Sequence, residues 1–248
     1  MQTKRDRSAW LKGPAFACTV TPPNVTHPWR LVLLGAPGVG KGTQADLLTQ
    51  RLGACHLSTG DIFRTAKSLG DGERSPAMSL AMEYMRRGDL VPDTTVLEMV
   101  RERVNCLRCH GGFLLDGFPR TVAQAEALQK TLREQKLALD AVLDFELPID
   151  EVVARLSGRR TCETCRAVYH VTGHPPKKEG VCDQCRGRLV QREDDRPESV
   201  RVRMEAYTKN TAPLTDFYSR LGLLVPISAQ GSAEAILSRT MAALQSRT

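Results

Sequence analysis

The glycine-rich segment GAPGVGKGT, from Gly35 to Thr43, constrains the fold more than any other feature of this 248-residue chain. An apolar run at residues 30–34 precedes it and predicts a buried strand, and the leucine spacing after Lys41 predicts a helix. In a loop between a strand and a helix, glycines allow consecutive backbone N–H groups to face a phosphate chain at the helix N-terminus. Lys41 would add a positive charge for the β and γ phosphates. The segment therefore predicts a phosphate-binding loop in an α/β fold.

The rest of the chain continues this alternation of strands and helices. Apolar runs predict strands at 30–34, 54–57, 113–115, 141–147 and 223–227. Helical spacing predicts helices at 94–104, 121–136, 150–156, 197–221 and 232–246. Such an order is typical of a parallel sheet covered by helices on both faces, with ligands at the carboxyl ends of the strands. Apolar stretches all fall short of the roughly 18 residues of a transmembrane helix, which predicts a soluble protein.

The phosphate loop departs from its most common form at Gly42, which separates Lys41 from Thr43. Further motifs follow along the chain: STGD (58–61), GDLVPD (88–93), GFLLDGFPRT (112–121), RLSGRR (155–160) and REDDRPESVRVR (192–203). With these motifs the chain resembles the adenylate kinases from about residue 30 to its end. The resemblance implies a three-layer α/β fold of the nucleoside monophosphate kinases, with a parallel sheet and a small zinc-bound lid insert. It also implies reversible phosphoryl transfer from Mg·ATP to AMP, which gives two ADP and balances the adenine nucleotides.

A second strong pattern consists of two CxxC pairs, Cys162 with Cys165 and Cys182 with Cys185, separated by sixteen residues. Four thiolates at this spacing can surround Zn²⁺ tetrahedrally, which leaves no open position for chemistry and makes the metal structural. The intervening segment has too little apolar content to bury a core of its own, so a metal would replace one. Two disulfides are the alternative. By resemblance, residues 160–193 are the zinc lid of a bacterial-type adenylate kinase.

A third pair, Cys106 and Cys109 followed by His110, spells the CxxCH pattern of covalent haem attachment. The pattern lies directly before the predicted strand at 113–115, in what should be a surface connection, and this position disfavours haem. An incidental thiol pair is the favoured interpretation, and an accessory metal or redox site is the alternative.

Residues 1–29 lie outside the resemblance. They combine basic residues and prolines without sustained hydrophobic periodicity. Such a composition predicts a disordered extension. A processed export signal or a transit peptide is the alternative, although Lys12 and Pro14 interrupt the apolar core that an export signal needs.

The resemblance also assigns the ligand contacts. ATP would contact the phosphate loop, the lid and a late turn through Gly38, Val39, Gly40, Lys41, Gly42, Thr43, Arg155, Tyr169, Gln230 and Gly231. AMP would contact the AMP-binding region, residues 58–87, and several later positions; the contact residues would be Thr59, Arg64, Leu90, Val91, Gly117, Arg120, Gln124, Arg192 and Arg203. The catalytic cations would be Lys41, Arg120, Arg155, Arg159, Arg192 and Arg203. Asp61 and Asp116 would orient Mg²⁺ through its bound waters.

The formal net charge of +7 invites a nucleic-acid interpretation. The arginines, however, occur singly within the motifs, and aromatic residues form only 5% of the chain, which weakens a base-stacking surface. We therefore expect ATP and AMP or ADP as partners, without nucleic acid or a membrane. The open alternatives are a GTP:AMP kinase, a UMP or CMP kinase and, in another class, a zinc-containing nucleic-acid-binding ATPase. The resemblance further implies a monomer in the cytoplasm.

Overall fold

The computed structural model describes residues 8–16, 25–87, 91–165 and 167–247. Its strands, in chain order, are β1 (Arg30–Gly35), β2 (Cys55–Ser58), β3 (Phe113–Asp116), β4 (Ala141–Glu146), β5 (Arg159–Cys162), β6 (Val168–His170), β7 (Leu189–Val190) and β8 (Leu224–Ser228). The predicted AMP contact at Leu90 lies outside the described residues.

The α-helices of the described residues alternate with these strands. They are α1 (Ser8–Lys12), α2 (Lys41–Leu52), α3 (Thr59–Ser68), α4 (Pro76–Arg87), α5 (Asp93–Arg101), α6 (Val104–Leu107), α7 (Val122–Glu134), α8 (Ile149–Gly158), α9 (Pro197–Ala206), α10 (Pro213–Arg220) and α11 (Ala233–Gln245). Among them, none is both long and apolar enough to cross a bilayer.

Five parallel strands form the central sheet in the order β2-β3-β1-β4-β8. The middle strand, β1, is buried from Leu31 to Gly35, as expected for a parallel strand covered on both faces. Because the strands are parallel, their carboxyl ends meet at one edge, where Ser58 lies opposite Asp116. The parallel sheet and the existence of all five predicted strands are confirmed.

Alternate residues of β1 point into two hydrophobic cores on opposite faces of the sheet. The first core contains Val32 and Leu34 and is covered by α3, α4, α5, α7 and α10. The second core contains Leu31 and Leu33 and is covered by α2 and α11. This period of two places helices on both faces, so the three-layer architecture is confirmed.

The single helix predicted at 197–221 is wrong, because the structure divides it. A π-helical turn at Tyr207–Thr211 separates α9 from α10. Pro213 stands in the first turn of α10, where its missing N–H is tolerated; inside a continuous helix it would remove a hydrogen bond and clash with the preceding turn.

The predicted lid insert is a separate small sheet between α8 and α9. Its three antiparallel strands lie in the order β6-β5-β7. The buried core of this sheet consists of Cys162, Tyr169, Cys182 and Leu189. So small a core agrees with a segment that needs further support for its fold.

The described part of the N-terminal segment differs from the expected disordered extension. Residues 8–12 form α1, and Trp10 is almost completely buried in the first core. The expectation of disorder is therefore wrong for residues 8–16. Composition alone missed the contact because one large apolar side chain, rather than a periodic pattern, anchors this segment.

Candidate functional site

The phosphate loop ends where α2 begins, so the helix N-terminus faces the loop. Gly40 is the N-cap residue in a left-handed conformation with φ of 105°, and the first-turn amides of Lys41, Gly42 and Thr43 have no partner within the helix ladder. A Cβ added to Gly42 would meet no described atom within 4 Å, whereas one added to Gly38 would lie 2.5 Å from Leu156 Cγ. The loop therefore leaves open space at the helix start and is fixed by close packing behind it.

Lys41 bends back over this loop. Its Nζ donates to the carbonyl oxygens of Gly35 at 2.6 Å and Ala36 at 2.9 Å. Desolvation lowers the pKa of Lys41 to about 8; the negative charge of Asp116 opposes this shift, and the positive charge of Arg120 adds to it. The ammonium group thus lies desolvated between acidic and basic side chains, and a phosphate would compensate for its lost hydration.

Arg155, on α8, connects the phosphate loop to the late turn predicted to hold the donor. Its Nη1 donates to the Val39 carbonyl oxygen at 3.1 Å, and its Nη2 donates to the Ala229 carbonyl oxygen at 2.8 Å. Gln230 and Gly231 follow Ala229 directly, and Gly231 has a positive φ of 93°. The structure therefore brings together the predicted donor residues of the loop, α8 and this turn.

A second group of predicted residues meets at the carboxyl ends of β2 and β3. Thr59 Oγ1 donates to the Gly117 carbonyl oxygen at 2.9 Å, and Arg120 Nε donates to the same oxygen at 2.8 Å. Arg64 pairs with Asp61 at 2.5 Å one turn along α3. Val91 is partly buried against the first core. Apart from Leu90, the predicted acceptor residues before the lid thus lie on this side of the phosphate loop.

Gln124 is buried within this group and is held at both ends of its amide. Its Oε1 accepts from the Arg120 backbone N–H at 2.8 Å, and its Nε2 donates to Asp93 Oδ1 at 2.6 Å. Thr121 Oγ1 donates to the other oxygen of Asp93 at 2.7 Å. Gln124 therefore joins the start of α7 to the start of α5. Its contacts with the described residues use one N–H and one oxygen lone pair of the amide, and an amide has a second of each that could bind a ligand.

The arginines that flank the lid are bonded to its base. Arg159 Nε donates to Asp195 Oδ2 at 2.7 Å, and Arg203 Nη1 donates to the Asp194 carbonyl oxygen at 2.6 Å. Arg192 Nε donates to Thr161 Oγ1 at 2.9 Å. Desolvation lowers the pKa of Arg192 to about 10, and the positive charge of Arg159 contributes to the shift. Arg203 Nη1 also lies 3.4 Å from Asp195 Oδ1, so Asp195 is a shared partner of Arg159 and Arg203.

Mutual repulsion connects the cations of the loop, the acceptor side and the lid base. Desolvation lowers the pKa of Arg120; Asp116 opposes this effect, and the charges of Arg203 and Arg64 add to it. Arg64 also lowers the pKa of Arg192, and Arg203 lowers that of Lys41. Cations gathered in this way form a site for a polyanion, because each would be stabilised by phosphate oxygens between them.

His56 is a site residue that the sequence did not reveal. Its Nε2 lies 3.3 Å from Asp116 Oδ2, and its Nδ1 lies 3.4 Å from Asp46 Oδ1. Burial opposes the charge of His56, but the two carboxylates outweigh it and raise its pKa to about 9. Burial also opposes the charge of Asp116, which would raise its pKa. The positive charges of His56 and Lys41 nevertheless hold the pKa of Asp116 below its usual value. The register places His56 opposite Leu114, two residues before Asp116 on the same face of β3, so the pair is a diagonal contact that depends on strand alignment.

The four lid cysteines come together as predicted. Their Sγ atoms all lie within 4.8 Å of one another, and they are the only group of three or more metal-ligand side chains this close in the described residues. Burial disfavours the thiolate of Cys182, but hydrogen bonding from the Tyr169 hydroxyl and nearby backbone amides lowers its pKa to about 6. Four clustered thiols, one of them readily ionised, fit a zinc ion.

Tyr169, the predicted ATP contact of the lid, lies on β6. Its ring is buried in the lid, its hydroxyl lies 3.5 Å from Cys182 Sγ, and the backbone N–H of Asp183 donates to it at 2.9 Å. The side chain therefore supports the cysteine cluster.

The remaining cysteine pattern lies at the opposite end of the sheet from the phosphate loop. Cys109 precedes β3, and its Sγ lies 3.4 Å from the Sγ of Cys55 at the amino end of β2. Ligands of an α/β sheet bind at the carboxyl ends of the strands, so this thiol pair is outside the site described above.

The fold and the cation cluster define a phosphate-loop nucleotide kinase with a lid. The sequence model of the family described as adenylate kinase matches residues 33–223, which is more than half of the chain. The chain belongs to the adenylate kinase family.

Named relatives support this assignment over nearly their whole length. The adenylate kinase of Carboxydothermus hydrogenoformans is 48% identical over 216 residues, which cover 87% of this chain and 99% of that protein. The adenylate kinase of Acidothermus cellulolyticus is 52% identical over 216 residues, which cover 87% of this chain and 98% of that protein. The chain is therefore a nucleotide-binding transferase, and its reaction is phosphoryl transfer between ATP and AMP. The GTP:AMP, UMP or CMP and nucleic-acid alternatives are not favoured.

Proposed function

We propose that one cluster of cations performs this transfer by holding the phosphates of both nucleotides at once. The observation that carries the proposal is the burial of Lys41, Arg120 and Arg192 near further cations, Arg64, Arg159 and Arg203, whose charges add to the desolvation that lowers the three pKa values. Phosphoryl transfer requires positioning and charge stabilisation more than covalent participation by the protein, and converging cations supply both. The acceptor phosphate is already anionic near neutral pH, so no general base is needed.

On the donor side, the amides from Gly38 to Thr43 and the Lys41 ammonium bind the ATP phosphates. The open space beside Gly42 supports this role, since a side chain there would compete with a phosphate. Arg155 and the Gln230–Gly231 turn bind the adenine end, because Arg155 already lies between that turn and the loop.

On the acceptor side, Arg64 and Arg120 bind the AMP phosphate. Thr59, Gly117 and Gln124 contact the adenine, and the second N–H and second oxygen lone pair of the Gln124 amide match the alternating donor and acceptor of a purine edge. Leu90 and Val91 complete this contact, and residues 58–87 form the AMP-binding region.

Arg159, Arg192 and Arg203 act on the phosphoryl group in transit. Each is bonded at the base of the lid in this structure, through Asp195, Thr161 and Asp194, respectively. Closure of the lid, residues 160–193, would carry Arg192 over the phosphates toward Arg159 and Arg203, which flank the lid. It would also exclude water, which would otherwise divert the reaction to hydrolysis.

Two metals complete the proposal. Asp116 and Asp61 would hold Mg²⁺ through its waters, and the ion, when bound, would supply positive charge to the ATP phosphates. The lowered pKa of Asp116 supports this, because the carboxylate stays ionised. Cys162, Cys165, Cys182 and Cys185 hold a structural zinc ion in the lid. Reduced thiols suit the cytoplasm, and we propose a monomer there.

Steady-state rates across donors and acceptors test the proposal. ATP with AMP should exceed GTP with AMP, and ATP with UMP or CMP, by at least about tenfold in kcat/KM. Arg120→Lys should lower kcat by about 10³-fold, because a point charge cannot replace the planar fork on a phosphate. Faster turnover with UMP or GTP would overturn the choice of nucleotides, as would ATP hydrolysis without any acceptor at a comparable rate.

A further inference from the structure

The helix α1 buries a tryptophan against the acceptor side, although it lies before residue 33, where the family match begins. Trp10 is only 1% exposed and belongs to the first core together with Leu57, Ile62 and Ala66. Leu57 lies on β2, Ile62 and Ala66 lie on α3, and α1 packs directly against α3. A segment outside the matched range therefore supplies part of the packing beneath the proposed AMP site.

The indole is also hydrogen-bonded at the start of α3. Trp10 Nε1 donates to the Ser58 carbonyl oxygen at 3.0 Å. Ser58 is the N-cap residue of α3, since its Oγ accepts from the Asp61 backbone N–H at 3.3 Å. Thr59 follows immediately, and Arg64 lies on the next turn and a half of the same helix. The indole thus contacts the residue that sets where α3 begins.

A buried arginine fixes the backbone of Trp10. Arg103, which is 1% exposed, donates from Nε to the Trp10 carbonyl oxygen at 2.6 Å and from Nη1 to Glu102 at 3.0 Å. The carboxylate of Glu102 accepts from Ser75 Oγ at 2.5 Å and from the Ala77 backbone N–H at 3.1 Å. One buried network therefore joins α1 to the ends of α4 and α5.

We propose that Trp10 is a positioning residue for the acceptor nucleotide. Through Ser58 it fixes the start of α3, and through Arg103 it ties α3 to α4 and α5, so that Thr59 and Arg64 keep the geometry that AMP requires. A change at Trp10 should therefore weaken AMP and leave ATP, which binds on the other side of the phosphate loop, largely unaffected. This inference depends on the acceptor role of α3 stated under the proposed function.

Two substitutions in the full chain test the role of Trp10. Trp10→Ala should raise KM for AMP by about tenfold and change KM for ATP by less than about twofold, because binding is lost at one site only. Trp10→Phe keeps an aromatic ring but loses the N–H, and it should raise KM for AMP by about two- to fivefold. Equal changes in both KM values, or none, would overturn the proposal, even if thermal stability fell.

Trp29 provides the matched control, since it is the other tryptophan of the chain and packs in the second core. Trp29→Phe should leave both KM values unchanged within about twofold. This variant also retains Trp10 as the sole tryptophan, so its emission reports directly on α1. AMP at saturation should shift that emission, whereas ATP alone should not. If neither Trp10 variant folds, the fluorescence titration of Trp29→Phe tests the proposal instead. Trp10 emission that does not change when AMP is added would contradict it.

Arg64→Lys separates this inference from the assignment of the acceptor site. If Arg64→Lys raises KM for AMP while both Trp10 variants do not, the acceptor site stands and the positioning role of Trp10 falls. If Arg64→Lys leaves KM for AMP unchanged, the acceptor assignment of α3 is itself wrong.

Discussion

The lid and the acceptor side are two covers of one site that are stabilised in different ways. The lid has a core of four buried residues, two of which are cysteines of the predicted zinc site. The acceptor helices α3, α4 and α5 instead bury their side chains in the first core, which they share with the central sheet and with Trp10. The lid can therefore lose its structure without disturbing the sheet, whereas damage to the acceptor side should destabilise the whole domain.

Removal of zinc should give the largest effect and should act on the lid alone. Structural zinc sites contribute on the order of 10 kcal/mol to folding, far more than a core of four residues. A strong chelator, or Cys182→Ser, should therefore unfold the lid and lower kcat by at least about 100-fold. Calorimetry should show a lost or lowered lid transition and a retained transition for the sheet.

Identical calorimetric transitions with and without chelator would contradict the claim that zinc stabilises the lid independently of the sheet. Zinc content measured on the same samples serves as the control, since it shows that the metal was removed.

Arg103→Ala should give the next largest effect and should act on the whole domain. It removes the buried partner of Glu102 and of the Trp10 carbonyl oxygen, and breaking a buried ion pair costs about 3–5 kcal/mol. Urea unfolding should show this loss of free energy of unfolding in the transition of the main domain, while the zinc content stays unchanged.

Arg101→Ala is the matched control for this experiment. Arg101 pairs with Glu98 at 3.6 Å on the exposed surface, and its loss should change the free energy of unfolding by less than about 0.5 kcal/mol. Loss of zinc from Arg103→Ala would show that the stability of the lid depends on the acceptor side, which would contradict the claim that the two are stabilised separately.

His56 should make the free energy of unfolding of the domain depend on pH in the alkaline range. Its pKa is about 9 in the folded protein against 6.5 in the unfolded chain, so its contribution is complete below pH 6.5 and is lost as the pH rises through 9. Lys41 acts in the opposite sense, because its pKa of about 8 lies below its ordinary 10.5, and the free energy of unfolding should rise with pH between these values.

Comparison with His56→Gln isolates the histidine from this opposing effect of Lys41. The difference in free energy of unfolding between the two proteins should be about 1–3 kcal/mol near neutral pH and should shrink by pH 10. A difference that stays constant with pH would show that His56 carries no charge in the folded protein.

The sequence predicted the central sheet well because β1 and β4 are largely apolar runs between recognisable loops, interrupted in β4 by Asp144. It also predicted that the four lid cysteines come together, since two CxxC pairs at this spacing are typical of a four-thiolate metal site. Local patterns could not show that Tyr169 faces the lid core, nor that His56 meets Asp116, because both depend on how neighbouring strands align. Trp10 was missed for a related reason: its partners Ser58 and Arg103 are 48 and 93 residues away along the chain.

The central claim is that one cluster of cations binds the phosphates of both nucleotides. Calorimetric titration with two adenosines joined by five phosphates tests it directly, since such a molecule spans both sites at once. We predict binding at least about 100-fold tighter than that of ATP, with one molecule per chain, and a clear loss of this advantage in Arg192→Lys. Binding no tighter than ATP, or an unchanged advantage in the variant, would contradict the account.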